Sequence, residues 1–219
     1  MTYIYPIIGS DHYLNLALRF IKSYHDFPAG FPHESIVVCN GGAPNDEVKF
    51  MFGGMENCRL MHHDNSGQDI GAFQLAAREN PCDLMVFFGA TAYLRGPNWL
   101  ARMVQAWQKH GDTLYGSTAN SGAGHLQPHI RTTGFFLSTA LFNAYPHQIR
   151  TEDRYNFEHS VASITSWIKG RGLIPWLVYW DRELRERNWD DGPNGYHQNS
   201  QSNVIVGDRL TMPPFHPTP

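Results

Sequence analysis

Asp64-Asn-Ser-Gly-Gln-Asp-Ile-Gly-Ala-Phe73 reads as a loop that turns into a helix. Asp64, Asn65, Ser66 and Gly67 are turn and cap formers, and Ile70, Phe73, Ala76 and Ala77 recur at helical spacing. A short apolar run follows, Asp83-Leu-Met-Val-Phe-Phe-Gly-Ala-Thr91, which reads as a buried strand ending at Gly89. In open α/β sheets ligands sit beyond the carboxyl ends of the strands. Both stretches lie at such an edge, so a site is expected there.

Working outward, the same alternation recurs. Residues 3–8 read as a strand, and Leu14, Leu16, Ala17, Phe20 and Ile21 mark a helix capped by Ser10 or Asp11. Ser35–Cys39 is a continuous β-branched run, as buried parallel strands are. A polar turn, a helix over 46–52 and a short strand over 59–62 follow. Pro97-Asn-Trp99 opens an amphipathic helix striped by Leu100, Met103, Val104 and Trp107, so Trp99 and Trp107 read as core. Strands are expected over 113–117, 131–138 and 173–180, with a loop over 118–128 and helices over 140–145 and 158–169. Alternating strands and helices predict a parallel sheet with helices on both faces. The whole of 1–219 is expected to form a single domain, with 182–219 a loop and extended C-terminal tail.

The chain has 219 residues and a net charge of -3 with the charges mixed, which argues against capture of nucleic acid or an anionic membrane surface. No apolar run is long enough for a membrane helix, and the first residues lack the basic and apolar regions of a signal peptide. A cytoplasmic location is the expectation. Cys39, Cys58 and Cys82 form no Cys-x-x-Cys pair and are expected to be buried, reduced thiols. The 12 histidines are scattered without metal-ligand spacing, which ranks a metal hydrolase last.

The order of these signals resembles the GT-A fold glycosyltransferases, closest to the family 2-like enzymes of the nucleotide-diphospho-sugar transferase superfamily. Val37-Val-Cys-Asn-Gly-Gly-Ala-Pro-Asn-Asp46 resembles the strand and turn that hold the donor's base, and Asn65-x-Gly67 resembles the family's Asn-x-Gly segment. Phe87-Phe-Gly-Ala-Thr91, with Pro97-x-Trp99-Leu100 after it, stands where the family has its Asp-x-Asp motif and following helix. Thr133-Gly-Phe-Phe136 resembles the acceptor-side segment, and Glu158-His159 stands at the family's Glu-Asp pair. The resemblance covers residues 3–180. It implies an α/β three-layer sandwich around a central, mostly parallel sheet. It also implies inverting transfer of a sugar from a nucleotide-sugar donor to a glycan or other hydroxyl acceptor. Such transfer serves polysaccharide assembly.

Three departures stand out. Gly89 and Thr91 replace the aspartates that hold Mn2+ or Mg2+ on the diphosphate, His159 replaces the catalytic aspartate, and the Gln-x-x-Arg-Trp signature of processive synthases is absent. The first keeps a second reading open: a catalytically inactive protein of this fold that binds a sugar nucleotide or glycan. Donor contacts are expected from Asn40, Asn65, Asp69, Gly89, Thr91 and Arg131, although Asp69 at a helix start also reads as a dipole-stabilising residue. The leaving group would be met by Arg95, Arg131, Arg182 or Arg185, or by a metal held through Asp64 or Asp69. Glu158 is the expected base, with Asp153 and His159 as alternatives. Gly134 falls on the acceptor side. Trp189 and Tyr196 lie in a Gly/Asn-rich stretch that reads as a lid, and His197 there is a weak metal candidate beside Asp64.

Overall fold

The computed structural model describes residues 1–7, 11–120, 127–189, 201–208 and 211. In chain order the elements are β1 (Thr2–Pro6), α1 (Asp11–Asp26), β2 (Ser35–Asn40), α2 (Asp46–Phe52), β3 (Cys58–His63), α3 (Gln68–Glu79), β4 (Met85–Phe88) and β5 (Tyr93–Leu94). Next come α4 (Trp99–His110), β6 (Tyr115–Gly116), β7 (Ala119–Asn120), β8 (His129–Ile130), β9 (Gly134–Leu137) and α5 (Thr139–Asn143). Last are α6 (Arg154–His159), α7 (Ile164–Gly170), β10 (Trp176–Val178), β11 (Glu183–Arg185) and β12 (Val206–Gly207).

Eight strands form the central sheet in the order β11-β10-β6-β9-β4-β1-β2-β3. The pairs β1–β2, β2–β3, β1–β4 and β6–β10 are parallel, whereas β9 runs antiparallel between β4 and β6. Side chains alternate across a pleated sheet, and here both sets are buried. Ile36, Val38, Met85 and Phe87 face α3, α5, α6 and α7. Val37, Cys39, Val86 and Phe88 face α1, α2 and α4. The result is three layers, helix on sheet on helix. Phe87 stacks on Phe135 at 4.8 Å, and Phe73 of α3 meets Phe87 edge-on at 5.2 Å, which pins α3 over the centre of the sheet. Trp99 is fully buried in the opposite layer, and its indole N–H donates to the Phe27 carbonyl.

Four expectations need correction. The helix over 158–169 is two helices: α6 ends at His159, Ser160 is extended, and the Ser163 side chain caps α7 by accepting from Ser166 N at 3.2 Å. A serine in that position competes with the ongoing helix by offering its own cap. The segment after 182 is not all loop and tail. Glu183–Arg185 is a sheet strand against β10, and β12 pairs with β5, burying Val204, Ile205 and Val206. The strand over 131–138 begins only at Gly134, because Arg131 N is drawn to the Thr118 carbonyl instead. Of the three thiols, which are all free, only Cys39 is buried; Cys82 is exposed. Burial pushes the Cys39 thiol up to about 11.

β11 also carries an ion-pair centre. Glu183 takes Arg102 at 2.6 Å and Lys109 at 2.7 Å. Burial alone would raise its carboxyl, but the hydrogen bonds from Lys109 and Arg102 outweigh burial and hold it at about 2. A carboxyl lowered in the fold contributes stability above its unfolded value, lost as pH falls toward the folded one. Glu183→Gln is therefore expected to destabilise the protein by about 1–3 kcal/mol at pH 7, with the difference from wild type shrinking between roughly pH 4.5 and 2. Urea midpoints across that range check it.

Candidate functional site

The parallel strands β1, β2 and β3 end level with one another, at Pro6, Asn40 and His63. Polar side chains converge there. Asn40 Nδ2 donates to Asn65 Oδ1 at 2.7 Å, and His63 Nδ1 lies 2.7 Å from Asn40 Oδ1. Asn40 is buried, whereas Asn65 is exposed, so the cluster runs from the sheet to the surface. Burial, larger than the pull of Asp64, holds the His63 imidazole below its ordinary range.

The loop that follows is set by backbone shape. Asn65 and Gly67 both have positive φ, at 72° and 74°. A Cβ on Gly67 would lie 2.2 Å from the Ile149 carbonyl oxygen, and one on Gly71 would lie 1.9 Å from that of Ser66. Neither gap admits a side chain, so Asn65-x-Gly67 can close against Ile149, and the first turn of α3 against Ser66, only with glycine. Asp64 Oδ1 accepts from both N and Oγ of Ser66, which makes it the pivot of this turn.

Asp69 lies in the first turn of α3, where the dipole favours it, but its carboxylate is engaged further away. Arg154 of α6 binds it through both arms, at 2.6 and 2.9 Å. The pair ties α6 to the start of α3, a bidentate geometry in a half-buried setting. Asp69→Ala is expected to destabilise the fold by about 1–3 kcal/mol, and Arg154→Ala to add little to it. A double-mutant cycle by urea unfolding measures that coupling; additive losses would contradict it.

Beyond β4, Gly89 N donates to the Thr133 carbonyl at 2.9 Å, and the turn is fastened by Tyr3 Oη on the Ala90 carbonyl and Arg19 on the Thr91 carbonyl. The resemblance implies metal-holding carboxylates at these two positions, and neither residue carries one. Gly89 has no side chain, and the Thr91 carbonyl is already taken.

Thr133 leads to a second cluster. Thr132 donates its hydroxyl to Glu158 Oε2 at 2.9 Å and its N–H to Oε1 at 3.4 Å. Glu158 is buried in the last turn of α6, not at a helix start as its place after the charged loop suggests. His129 Nε2 lies 4.0 Å from Oε1, His159 Nε2 lies 4.0 Å from Oε2, and the two imidazoles meet at 3.0 Å between His159 Nδ1 and His129 Nε2. Burial holds His159 below its ordinary range, against the raising influence of Glu158. Among the described residues this is the group of histidine, cysteine and acidic side chains whose ligand atoms converge closely enough for a metal ion. Asp153 sits at the opposite end of α6, half-buried, capping nothing with its side chain.

The remaining expected residues are placed otherwise. Arg131 pairs with Asp208 at 2.6 Å, Arg95 is buried against the Gln201 carbonyl, Arg182 pairs with Asp181, and Arg185 lies over the Trp176 ring. Each arginine assigned to the leaving group thus has a protein partner. Gly134, expected on the acceptor side, is buried beneath Val206, whose Cγ1 would lie 2.8 Å from an added Cβ, so a side chain there would collide with β12. Trp189 is not in a lid: it is 2% exposed in the core beside α7, with its indole N–H on the Leu184 carbonyl. Tyr196 and His197 lie outside the described residues. Arg154, Thr132 and His129 were not among the expected site residues. For His129 no spacing signal exists, since its partners lie 29 and 30 residues further on.

No family model and no curated protein sequence matches the chain. Solved structures do. A Bacillus anthracis structure described as a glucose-1-phosphate thymidylyltransferase, in complex with a sucrose, aligns with a TM-score of 0.53 at 10% identity, covering 78% of this chain and 83% of that one. S. aureus TarS 1-349 in complex with UDP-GlcNAc aligns with a TM-score of 0.50 at 13% identity, covering 75% of this chain and 53% of that one. Among the described residues no helix is long and apolar enough to cross a membrane. With its eight-stranded, mostly parallel sheet between two helical layers, the chain has the GT-A-like fold of the nucleotide-diphospho-sugar transferases.

Proposed function

We propose that the protein is a single-domain glycosyltransferase that moves a sugar from a nucleotide-diphosphate-sugar to a hydroxyl acceptor, with Glu158 and His159 receiving the acceptor's proton. The observation that carries this reading is that two polar clusters lie at strand ends of one sheet. Thr132 holds Glu158 and its neighbour Thr133 is bonded to Gly89, so the carboxylate stands beside the end of β4. Asn40, His63 and Asn65 stand at the ends of β2 and β3 on the same sheet.

The division of labour follows from the chemistry of each group. Amide and imidazole groups offer both donors and acceptors, which suits the edge of a nucleobase. Glu158 is acceptor-only when ionised, and His159 beside it stabilises or shares an incoming proton. A single displacement by the activated hydroxyl inverts the anomeric centre. The loss of the aspartates at Gly89 and Thr91 also suits an inactive sugar-nucleotide binder. The Glu158–His159 pairing favours the enzyme, because binding alone does not require a buried carboxylate poised between two imidazoles.

Incubation with a panel of nucleotide sugars and simple saccharide acceptors, reading nucleoside diphosphate release, tests the proposal. Acceptor-dependent release from one donor supports transfer. Nucleotide-sugar binding with no release on any acceptor supports the binder.

A further inference from the structure

We propose that His129, Glu158 and His159 form a binding site for a divalent transition-metal ion of the zinc class, with a coordination position left open. The site stands on its own geometry and does not depend on the transferase reading.

The donor set is two imidazoles and one carboxylate, which suits a borderline ion such as Zn2+ and its probe Co2+ better than Mg2+. Their ligand atoms all lie within 4.8 Å of one another. His129 Nδ1 donates to the Gln127 carbonyl at 2.7 Å, which leaves the lone pair on Nε2, facing the cluster. That arrangement, the outer nitrogen fixed by a backbone carbonyl, is how metal-ligating histidines are oriented. His129 is 1% exposed, so the lone pair is aimed within the protein and away from solvent. The carboxylate is oriented in the same way, by the N–H and hydroxyl of Thr132.

Without a cation, His159 Nδ1 must donate to His129 Nε2 across 3.0 Å. His159 Nε2 then turns a lone pair toward the Glu158 carboxylate at 4.0 Å, an uncompensated juxtaposition. A cation resolves it. The single proton of His159 moves to Nε2, where it faces Glu158 Oε2, and Nδ1 joins His129 Nε2 as a ligand. Two nitrogens on one tetrahedral zinc stand about 3.3 Å apart, from bonds of about 2.0–2.1 Å, so the imidazoles need open by only a few tenths of an ångström. Glu158 Oε1, 4.0 Å from His129 Nε2, moves in as the third ligand. Three protein ligands leave the fourth position for water or a substrate oxygen. The cation and an acceptor's proton would use the same groups, so metal loading and proton acceptance at Glu158–His159 exclude one another.

The test is titration of the chelator-stripped full chain with Co2+, followed by its visible absorption. One equivalent of Co2+ giving intense low-symmetry bands, displaced by Zn2+, is expected. The bands should vanish in His129→Ala and in His159→Ala and persist in His25→Ala, on the far helical layer. Bands unchanged in both cluster variants, or only the weak spectrum of hydrated cobalt in wild type, would overturn the site. Because His129 is buried, thermal unfolding with and without Zn2+ accompanies the titration. Wild type should rise in melting temperature with zinc and His159→Ala should not; equal rises would again overturn the proposal. Nucleotide binding is measured separately, so a failed metal site leaves the transferase reading standing, and the reverse.

Discussion

Glu158→Gln, assayed in the presence of a chelator, is expected to lower sugar transfer by about 10²–10⁴-fold while leaving nucleotide affinity unchanged. The substitution keeps the shape of the side chain and one oxygen for the Thr132 hydroxyl, which now donates to Oε2 at 2.9 Å. It removes the charge and the second acceptor oxygen, which are the parts that take a proton. The chelator separates this role from any contribution through a bound cation. A folding check is needed, because the amide would place an N–H opposite the Thr132 N–H now 3.4 Å from Oε1. An unchanged urea midpoint together with lost turnover assigns the effect to chemistry. Retained turnover in a folded variant would remove Glu158 as base and move attention to Asp153, at the opposite end of α6.

Gly71→Ala is expected to destabilise the protein by about 3 kcal/mol or more and to abolish nucleotide binding in whatever remains folded. An added Cβ would lie 1.9 Å from the Ser66 carbonyl oxygen and 3.1 Å from His63 Cε1. The first contact is with backbone, so no side-chain rotation relieves it. The loop would have to lift from α3, and overpacking on that scale exceeds the usual 1–3 kcal/mol of an extra core methylene. Lifting it also moves His63 and Asn65, two of the three groups assigned to the nucleobase. Thermal melting and calorimetric titration read the two effects separately. A variant with wild-type melting temperature would contradict the packing account. One with lower stability but intact nucleotide affinity would detach this loop from the donor.

How much of this was visible in the chain depends on range. The existence of β1, β2 and β3 and their parallel pairing follow from runs such as Ser35–Cys39, since parallel strands buried on both faces read as continuous apolar stretches. Asn65-x-Gly67 announced a turn because its constraint is local, a positive φ. Three features were hidden for physical reasons. The break between α6 and α7 rests on Ser163 capping inward, which the charged and apolar spacing of 158–169 does not register. Trp189 sits in polar sequence yet is buried, because β11 carries it onto the core. His129 meets Glu158 and His159 only because β8 packs against α6, a contact between elements about 30 residues apart. Each is a tertiary event without a periodic signature.

The most direct test of the central claim is calorimetric titration of the full chain with UDP, GDP, dTDP and CMP, each with Mn2+ and with a chelator, beside an Asn65→Ala variant. One nucleoside diphosphate is expected to bind, its binding is expected to persist in the chelator because Gly89 and Thr91 offer no carboxylate to a metal, and Asn65→Ala is expected to weaken it at least tenfold. Binding of none of the four, or of one with an affinity untouched by Asn65→Ala, would contradict a donor site at the ends of β2 and β3.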